Sequence, residues 1–369
     1  MERKISRGRF LKAMGAAGVA GSTLSVLACQ PNTNPQQQGS GGGDGPEEKK
    51  LSFYNWTDYV AKNTIPSFEE KTGIKVTQDY FTSNEELLAK LQAGGTGYDV
   101  IVPSDYMVGI MIKSDVIQPL DKSKIPNFKN IGENFKGLPY DPNNEYSVPY
   151  QWGTTGILYN KKEIGEQGES WDPMWNQEFE GKIGMLNDVR ETMGAALYRL
   201  GYSVNTTDPD QLDEAEAALK EQKPLLRGYF DSASGNRPLV QKGDILLGHV
   251  FSGDAFLALS GNPDLDYIVP KPGATRWTDN MCIPNGAAHP DNAHKFINHI
   301  LDAKVGAALT NYTYYNTPNE AAVPMLDEAL TEIPDYTLAP EVYDRLQVIR
   351  DVGEATRDYE RRFTEVKSA

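Results

Sequence analysis

From Leu51 to Pro103 the chain alternates two apolar periodicities, and that alternation leaves few folds open. Alternating apolar residues mark strands at Leu51 to Asn55 and Ile74 to Tyr80, and a short apolar run marks a third at Tyr98 to Pro103. Between them lie two helical stretches. Ile65 to Lys71 is stopped by Thr72-Gly73; the other is opened by Ser83-Asn84-Glu85-Glu86, runs through Leu87, Leu88 and Leu91, and ends at Gly94-Gly95. Strand and helix in this order imply parallel strands joined by right-handed crossovers. Ligands in such sheets bind outside the carboxyl ends of the strands.

The same alternation continues. Ser147 to Asn160 reads as one long strand, and its Gly- and Thr-rich centre, Tyr150-Gln151-Trp152-Gly153-Thr154-Thr155-Gly156, suits a passage from one lobe to another. Ser170 to Phe179, with Trp171 and Trp175 four apart, predicts one apolar helix face. Lys182 to Leu186 and Ile245 to Phe251 predict strands, each followed by a helix. Asn205 to Pro209 predicts a turn before an amphipathic helix ending near Gln222. Short strands are expected at Tyr267 to Pro270 and Met281 to Pro284, a helix at Pro290 to Leu301, and a mostly helical tail over Pro340 to Val366. The fold class is therefore α/β, with two lobes and more than one crossing between them.

The head of the chain reads as an address. Arg3, Lys4, Arg7, Arg9 and Lys12 precede a small, mildly apolar run from Ala13 to Ala28, which predicts an export signal over 1–28. Ser6-Arg7-Gly8-Arg9-Phe10-Leu11-Lys12 resembles the twin-arginine motif, but Gly8 separates the arginines, which leaves the route open. Val26-Leu27-Ala28-Cys29 resembles a lipobox, so Cys29 is expected to carry lipid. The competing reading, a buried cysteine in an uncleaved helix, fits poorly with the polar tract to Lys50, which describes a flexible tether over 29–50. No run approaches the ~20 apolar residues of a membrane-spanning helix. The full chain carries −15; five bases and one acid lie in the first 29 residues, so the remainder carries −19. That excess disfavours nucleic acid, which wants a basic face. Beyond Cys29 only Cys282 remains, too few for an internal disulfide, and His249, His289, His294 and His299 lack metal-site spacings. No metal or cofactor is expected.

Phe53-Tyr54-Asn55-Trp56-Thr57-Asp58-Tyr59 ends the first strand with rings, a hydroxyl and an acid. Read alone, Tyr54 and Trp56 are as well placed for core as for a site, and Thr57-Asp58 for capping the following helix. Other strand ends repeat the composition: Ser104-Asp105-Tyr106, Asp188 with Glu191, and Phe251-Ser252-Gly253-Asp254; Trp277-Thr278-Asp279 is expected as a loop between two short strands. Each has a plain explanation too. Asp188 and Glu191 have capping-box spacing, Ser104 and Asp254 could cap, and Trp277 could be core. The recurrence favours one crevice, where aromatic walls and carboxylates would hold an elongated polycation. Nucleophile-elbow, phosphate-loop and dinucleotide motifs are absent. A glycoside hydrolase drawing on Asp58, Glu191 or Asp279 stays open, but nothing marks a proton donor among them. An amino-acid or sugar receptor also stays open; an amino acid would want an arginine, for which Arg190 and Arg276 are the candidates.

Several stretches together resemble the polyamine-binding (spermidine/putrescine) proteins of bacterial ABC importers over nearly all of 51–369. They are Phe53 to Tyr59, Val102-Pro103-Ser104-Asp105-Tyr106, Tyr150 to Gly156, Gly201 to Pro209, and Asn316-Thr317-Pro318-Asn319. The resemblance implies a two-lobe, type II-like periplasmic-binding-protein fold, each lobe a mixed sheet flanked by helices, closing on ligand in the cleft between lobes. Lobe 1 would be 51–155 plus 278–323, and lobe 2 156–277 plus 324–369. It implies a monomeric, non-enzymatic receptor outside the cytoplasmic membrane that passes its ligand to an ABC permease. By motif position Trp56, Thr57, Asp58, Tyr59, Ser104 and Tyr106 would line one wall, and Asp188 and Glu191 would meet an amine from the other. Trp277 with Asp279 would be the central ring and acid, and Tyr315 a further wall residue. Phe251 stands where the family often has Trp. Asp254 stands where spermidine-preferring members tend to be uncharged and putrescine-preferring members tend to have Asp. A C-terminal glutamine of spermidine binders has no counterpart in register near Val348-Ile349-Arg350, with Gln347 only close by. These departures lean towards a diamine or a mixed preference.

Overall fold

The computed structural model describes residues 48–94, 97–334 and 336–369. The export signal, Cys29, the tether up to residue 47 and Gly95 lie outside the described residues. The first elements follow the expected order: β1 (Lys50–Trp56), α1 (Thr64–Thr72), β2 (Lys75–Phe81), α2 (Asn84–Gln92), β3 (Val100–Ile101) and α3 (Asp105–Lys113). The three strands are parallel and ordered β2-β1-β3. Gly73 ends α1 with φ 71° and its N–H donates to the Glu69 carbonyl, a left-handed stop that favours glycine. Ser83 opens α2, its Oγ accepting from the Glu86 N–H at 3.1 Å. Thr57-Asp58, in contrast, caps no helix. The pair forms a turn with Asp58 at φ 55°, and α1 begins only after Asn63. Tyr59 and Ala61 are buried between the two, so the chain enters the core before it can coil.

The rest builds a larger mixed sheet. β4 (Val148–Asn160) is followed by α4 (Lys161–Ile164), β5 (Ile183–Leu186), α5 (Val189–Arg199), α6 (Pro209–Gln222) and β6 (Leu226–Phe230). Then come α7 (Arg237–Lys242), β7 (Leu247–Phe251), α8 (Ser252–Gly261), β8 (Leu265–Ile268) and β9 (Ala274–Met281). The remainder is α9 (Pro290–Ile300), α10 (Ala303–Thr313), α11 (Glu328–Thr331), α12 (Pro340–Tyr343), β10 (Leu346–Gln347) and α13 (Thr356–Ser368). The sheet runs β10-β9-β4-β7-β5-β6, with β8 also on β4.

β4 changes partners along its length. Val148 to Thr154 pair with β9, whereas Thr155 to Tyr159 pair with β7 and Ile157 to Asn160 with β8. The chain leaving β9 then borders the first sheet: Ile101 N–H donates to the Cys282 carbonyl at 3.0 Å and Cys282 N–H to the Ile101 carbonyl at 2.9 Å. The end of β9 thus bridges to the end of β3, while β4 changes partners within the larger sheet. Gly156 sits where β4 meets β8, and a Cβ there would lie 2.2 Å from the Ile268 carbonyl oxygen. Backbone cannot yield as a side chain does, so Gly156→Ala is expected to destabilise the protein by ~1–3 kcal/mol. Urea unfolding should show a lower midpoint with an unchanged slope.

Three expectations are corrected. Ser170 to Phe179 forms two 3-10 turns, Asp172–Trp175 and Gln177–Phe179, not a helix face. Pro173 has no N–H to give, and Trp171 and Trp175 are buried with their indole N–H groups on the Gly273 and Ala218 carbonyls. Trp277-Thr278-Asp279 is no loop; it lies inside β9, with Trp277 opposite Gly153. The tail is α-helical in α12 and α13, with a 3-10 turn at Gly353–Ala355, and β10 between the helices adds to β9.

Candidate ligand-binding site

Two strand ends meet on Asp279. After β1, the Tyr59 hydroxyl donates to Asp279 Oδ2 at 2.8 Å; after β3, the Ser104 hydroxyl donates to Oδ1 at 2.7 Å. Asn84, the first residue of α2, holds Ser104 in place: its Oδ1 accepts from the Ser104 N–H at 3.0 Å and its Nδ2 donates to Oγ at 3.1 Å. A carboxylate has about four lone-pair directions, so each oxygen of Asp279 retains capacity for a further donor.

An aromatic chain leads away from this acid. Tyr59 meets Tyr150 at 5.4 Å and Tyr315 at 5.1 Å between ring centroids; Tyr315 meets Trp277 at 5.4 Å, and Trp277 meets Phe251 at 5.6 Å. All four contacts are edge-to-face, the arrangement the ring quadrupoles favour. Two glycines let the rings in. A Cβ on Gly153 would lie 2.7 Å from Cζ2 of Trp277, and one on Gly253 2.4 Å from Cδ1 of Tyr315. The Tyr315 hydroxyl then donates to Asp254 Oδ2 at 3.0 Å, while Arg237 Nη1 donates to Oδ1 at 3.0 Å. The buried indole N–H of Trp277 has no protein partner among the described residues.

The acids are buried, and burial disfavours their charged forms. It pushes Asp279 up to about 6, against the Ser104 and Tyr59 hydrogen bonds that pull it down. Asp105 goes up to about 7: burial leads, the Tyr106 N–H opposes it, Asp279 pushes it further, and Arg276 pulls it down. Glu191 goes up to about 8 through burial and then Asp188, with Thr275 and Thr155 opposing and Asp105 adding to the rise. Burial also raises Asp188, Asp254 and Glu85; Asp188 adds to the rise at Glu85. Glu85, Asp188, Glu191, Asp105 and Asp279 therefore each feel the next, a row of carboxyls that a bound cation would relieve.

The sequence-predicted residues divide into groups. Tyr59, Ser104, Asp279, Trp277, Phe251, Tyr315 and Asp254 come together directly. Asp188 and Glu191 join through the row of acids. Asp188 also caps α5, its Oδ1 accepting from the Glu191 N–H at 2.9 Å, so the capping reading and the site reading hold for the same residue. Asp58 is exposed on its turn, yet close enough to Asp254 to raise it; Thr57 is exposed beside it. Trp56 is half-buried, its indole N–H on the Val102 carbonyl at 2.9 Å and its ring 4.4 Å from Phe81. Tyr106 is buried, donates to Glu85 Oε1 at 3.0 Å, and faces the Arg190 guanidinium 5.8 Å from its ring. Sequence reasoning missed Asp105 and Glu85 as members, and Arg237 altogether. Asp105 opens α3, where an acid is ordinary; only the pairing of the β3 end with β9 puts it beside Asp279. Among the described residues no three or more of His, Cys, Asp and Glu are grouped to hold a metal ion.

Two sheets bridged where the ends of β3 and β9 meet, with rings and acids gathered at the strand ends, define a two-lobe solute-binding protein. The model of the bacterial extracellular solute-binding protein family matches residues 63–338, and the chain belongs to that family. It is 37% identical over 326 residues to the spermidine/putrescine-binding periplasmic protein of Escherichia coli K12, covering 87% of this chain and 92% of that one. It is 35% identical over 380 residues to the putrescine-binding periplasmic protein SpuD of Pseudomonas aeruginosa, covering 98% and 99%. Among solved structures, the spermidine/putrescine ABC transporter substrate-binding protein PotD of Streptococcus pneumoniae superposes with a TM-score of 0.74 at 36% identity, covering 86% of this chain and 98% of that one. The fold is accordingly the periplasmic-binding-protein fold.

Proposed function

We propose that this protein captures polyamines of the putrescine and spermidine class outside the cytoplasmic membrane and delivers them to an ABC permease. The observation that carries this reading is Asp279: a buried carboxylate held by the Tyr59 and Ser104 hydroxyls, at the end of an aromatic wall and backed by further acids. An ammonium at Asp279 would bring a positive charge to the acid that ends this row. The ring faces of Trp277, Tyr59, Tyr315 and Phe251 would enclose the methylenes, and Glu191 with Asp188 would meet a second amine. Asp254, Ser104, Tyr106, Trp56, Thr57 and Asp58 complete the site as wall, support or rim. The names of the relatives agree with this ligand class.

The lobes we assign are 51–155 plus 278–323 and 156–277 plus 324–369. The partner exchange on β4 at Thr154 and Thr155 supports a hinge there. The receptor works as a monomer, by binding and release without chemistry on the ligand, and Cys29 anchors it by lipid. Mass spectrometry of the mature N-terminus tests the anchor. The amino-acid alternative fares worse, because its arginines are occupied. Arg190 donates to the Val204 and Arg350 carbonyls, and Arg276 stacks 4.7 Å over Tyr343 and bonds its hydroxyl. Calorimetric titration with putrescine, spermidine, spermine and a panel of amino acids tests the assignment. Saturable heat from polyamines alone is expected; heat from an amino acid and none from any polyamine overturns it.

A further inference from the structure

The two acids at the ends of the aromatic chain are not equivalent. Asp279 has neutral partners, Tyr59 and Ser104. Asp254 has a cation: Arg237 Nη1 on Oδ1, while Tyr315 takes Oδ2. The arginine is held in place by a built turn. Its Nη2 donates to the Ala233 carbonyl at 3.1 Å, and it follows the π-turn Ser232–Asn236. That turn is pinned to β7 by Asn236 Nδ2 on the His249 carbonyl at 2.9 Å and by the Phe251 N–H on Ser232 Oγ at 3.1 Å. Asp254 and Arg237 are both largely shielded from water, with side chains 6% and 21% exposed, so their pairing is not screened away.

Building on the polyamine reading above, we propose that Arg237 is a specificity-determining residue: its guanidinium serves as an internal counter-cation that neutralises Asp254 and denies that end of the site to a ligand ammonium. The sequence makes Asp254 look like an extra acid for an amine. In the folded chain its charge is already met, and the buried carboxyls left for a second ammonium lie in the Glu191 and Asp188 direction, with Asp58 exposed on the rim. Arg237 thereby limits how many ammonium groups the site can read, and it does so from a helix outside every motif that marks the site.

The test is a set of charge variants titrated with putrescine and spermine. Arg237→Gln uncovers the Asp254 carboxylate, so spermine should gain on putrescine by about tenfold or more in relative affinity. Asp254→Asn leaves the guanidinium unpaired beside the ligand, so both polyamines should weaken, spermine most. The double variant Arg237→Gln/Asp254→Asn is neutral again and should return the spermine-to-putrescine ratio to that of the native chain. If Asp254 instead binds an ammonium directly, the double variant stays as weak as Asp254→Asn, and the proposal is overturned. An unchanged ratio in Arg237→Gln overturns it as well. Should Arg237→Gln fail to fold, the comparison of Asp254→Asn with the double variant still decides. A native chain that binds neither polyamine defeats the functional reading itself, a result distinct from all of these.

Discussion

Asp279→Asn is expected to weaken polyamine binding by about two to three and a half orders of magnitude, because removing one partner of a buried charge pair costs ~3–5 kcal/mol. The same substitution should leave the ligand-free protein at least as stable at pH 8. Burial holds the Asp279 carboxyl up at about 6, so its ionised form is a burden on the empty site, and asparagine removes that burden. The two hydroxyls on Asp279 can still bond an amide. Loss of binding without loss of stability separates a site residue from a structural one. Asp208→Asn supplies the control: Asp208 is exposed and caps α6 through the Asp210 N–H at 3.0 Å, and its loss should leave affinity unchanged. Calorimetry and thermal melts of both variants give the comparison, and equal effects on binding would remove Asp279 from the site.

The second large effect is on pH. Glu191, Asp105 and Asp279 titrate up at about 8, 7 and 6, each above its ordinary value chiefly through burial. A carboxyl raised in the folded state lends stability that is complete below its unfolded value, near 4, and is lost as pH rises through the folded one. The ligand-free protein should therefore lose stability between about pH 5 and 8 on account of these groups. Polyamine binding runs the other way. At pH 5 the three carboxyls hold protons and offer an ammonium little charge, whereas at pH 8 they ionise while alkyl amines, near 10, stay charged. Putrescine affinity should rise about tenfold or more from pH 5.5 to 8, and the rise in melting temperature given by putrescine should grow with it. An affinity flat across that window would show that these acids do not ionise at the ligand.

Much of this was open to reading from the sequence because the parts that carry the fold are locally periodic. α1 and α2 each bury one face of a short amphipathic run, and Gly73 and Ser83 mark helix ends by their own chemistry. The site was partly readable for another reason: acids and rings recur after strands, and strand ends converge. What stayed hidden depends on pairing across long stretches of chain. Trp277, Thr278 and Asp279 look like loop residues, and only the partnership with Gln151, Trp152 and Gly153 makes them a strand. Trp56 looks like an open ring face, yet its N–H is committed to Val102. Trp171 and Trp175 share helical spacing but reach separate carbonyls from 3-10 turns. Arg237 has no local signature at all, since its partner lies in the next helix and its support in a π-turn.

A crystal structure of the protein grown with putrescine or spermidine tests the central claim most directly. The account predicts an ammonium nitrogen about 2.7–2.9 Å from an Asp279 oxygen, methylenes lying against Trp277, and a second amine directed to Glu191 or Asp188. A polyamine seated elsewhere, with Asp279 still bonded only to Tyr59 and Ser104, would contradict it.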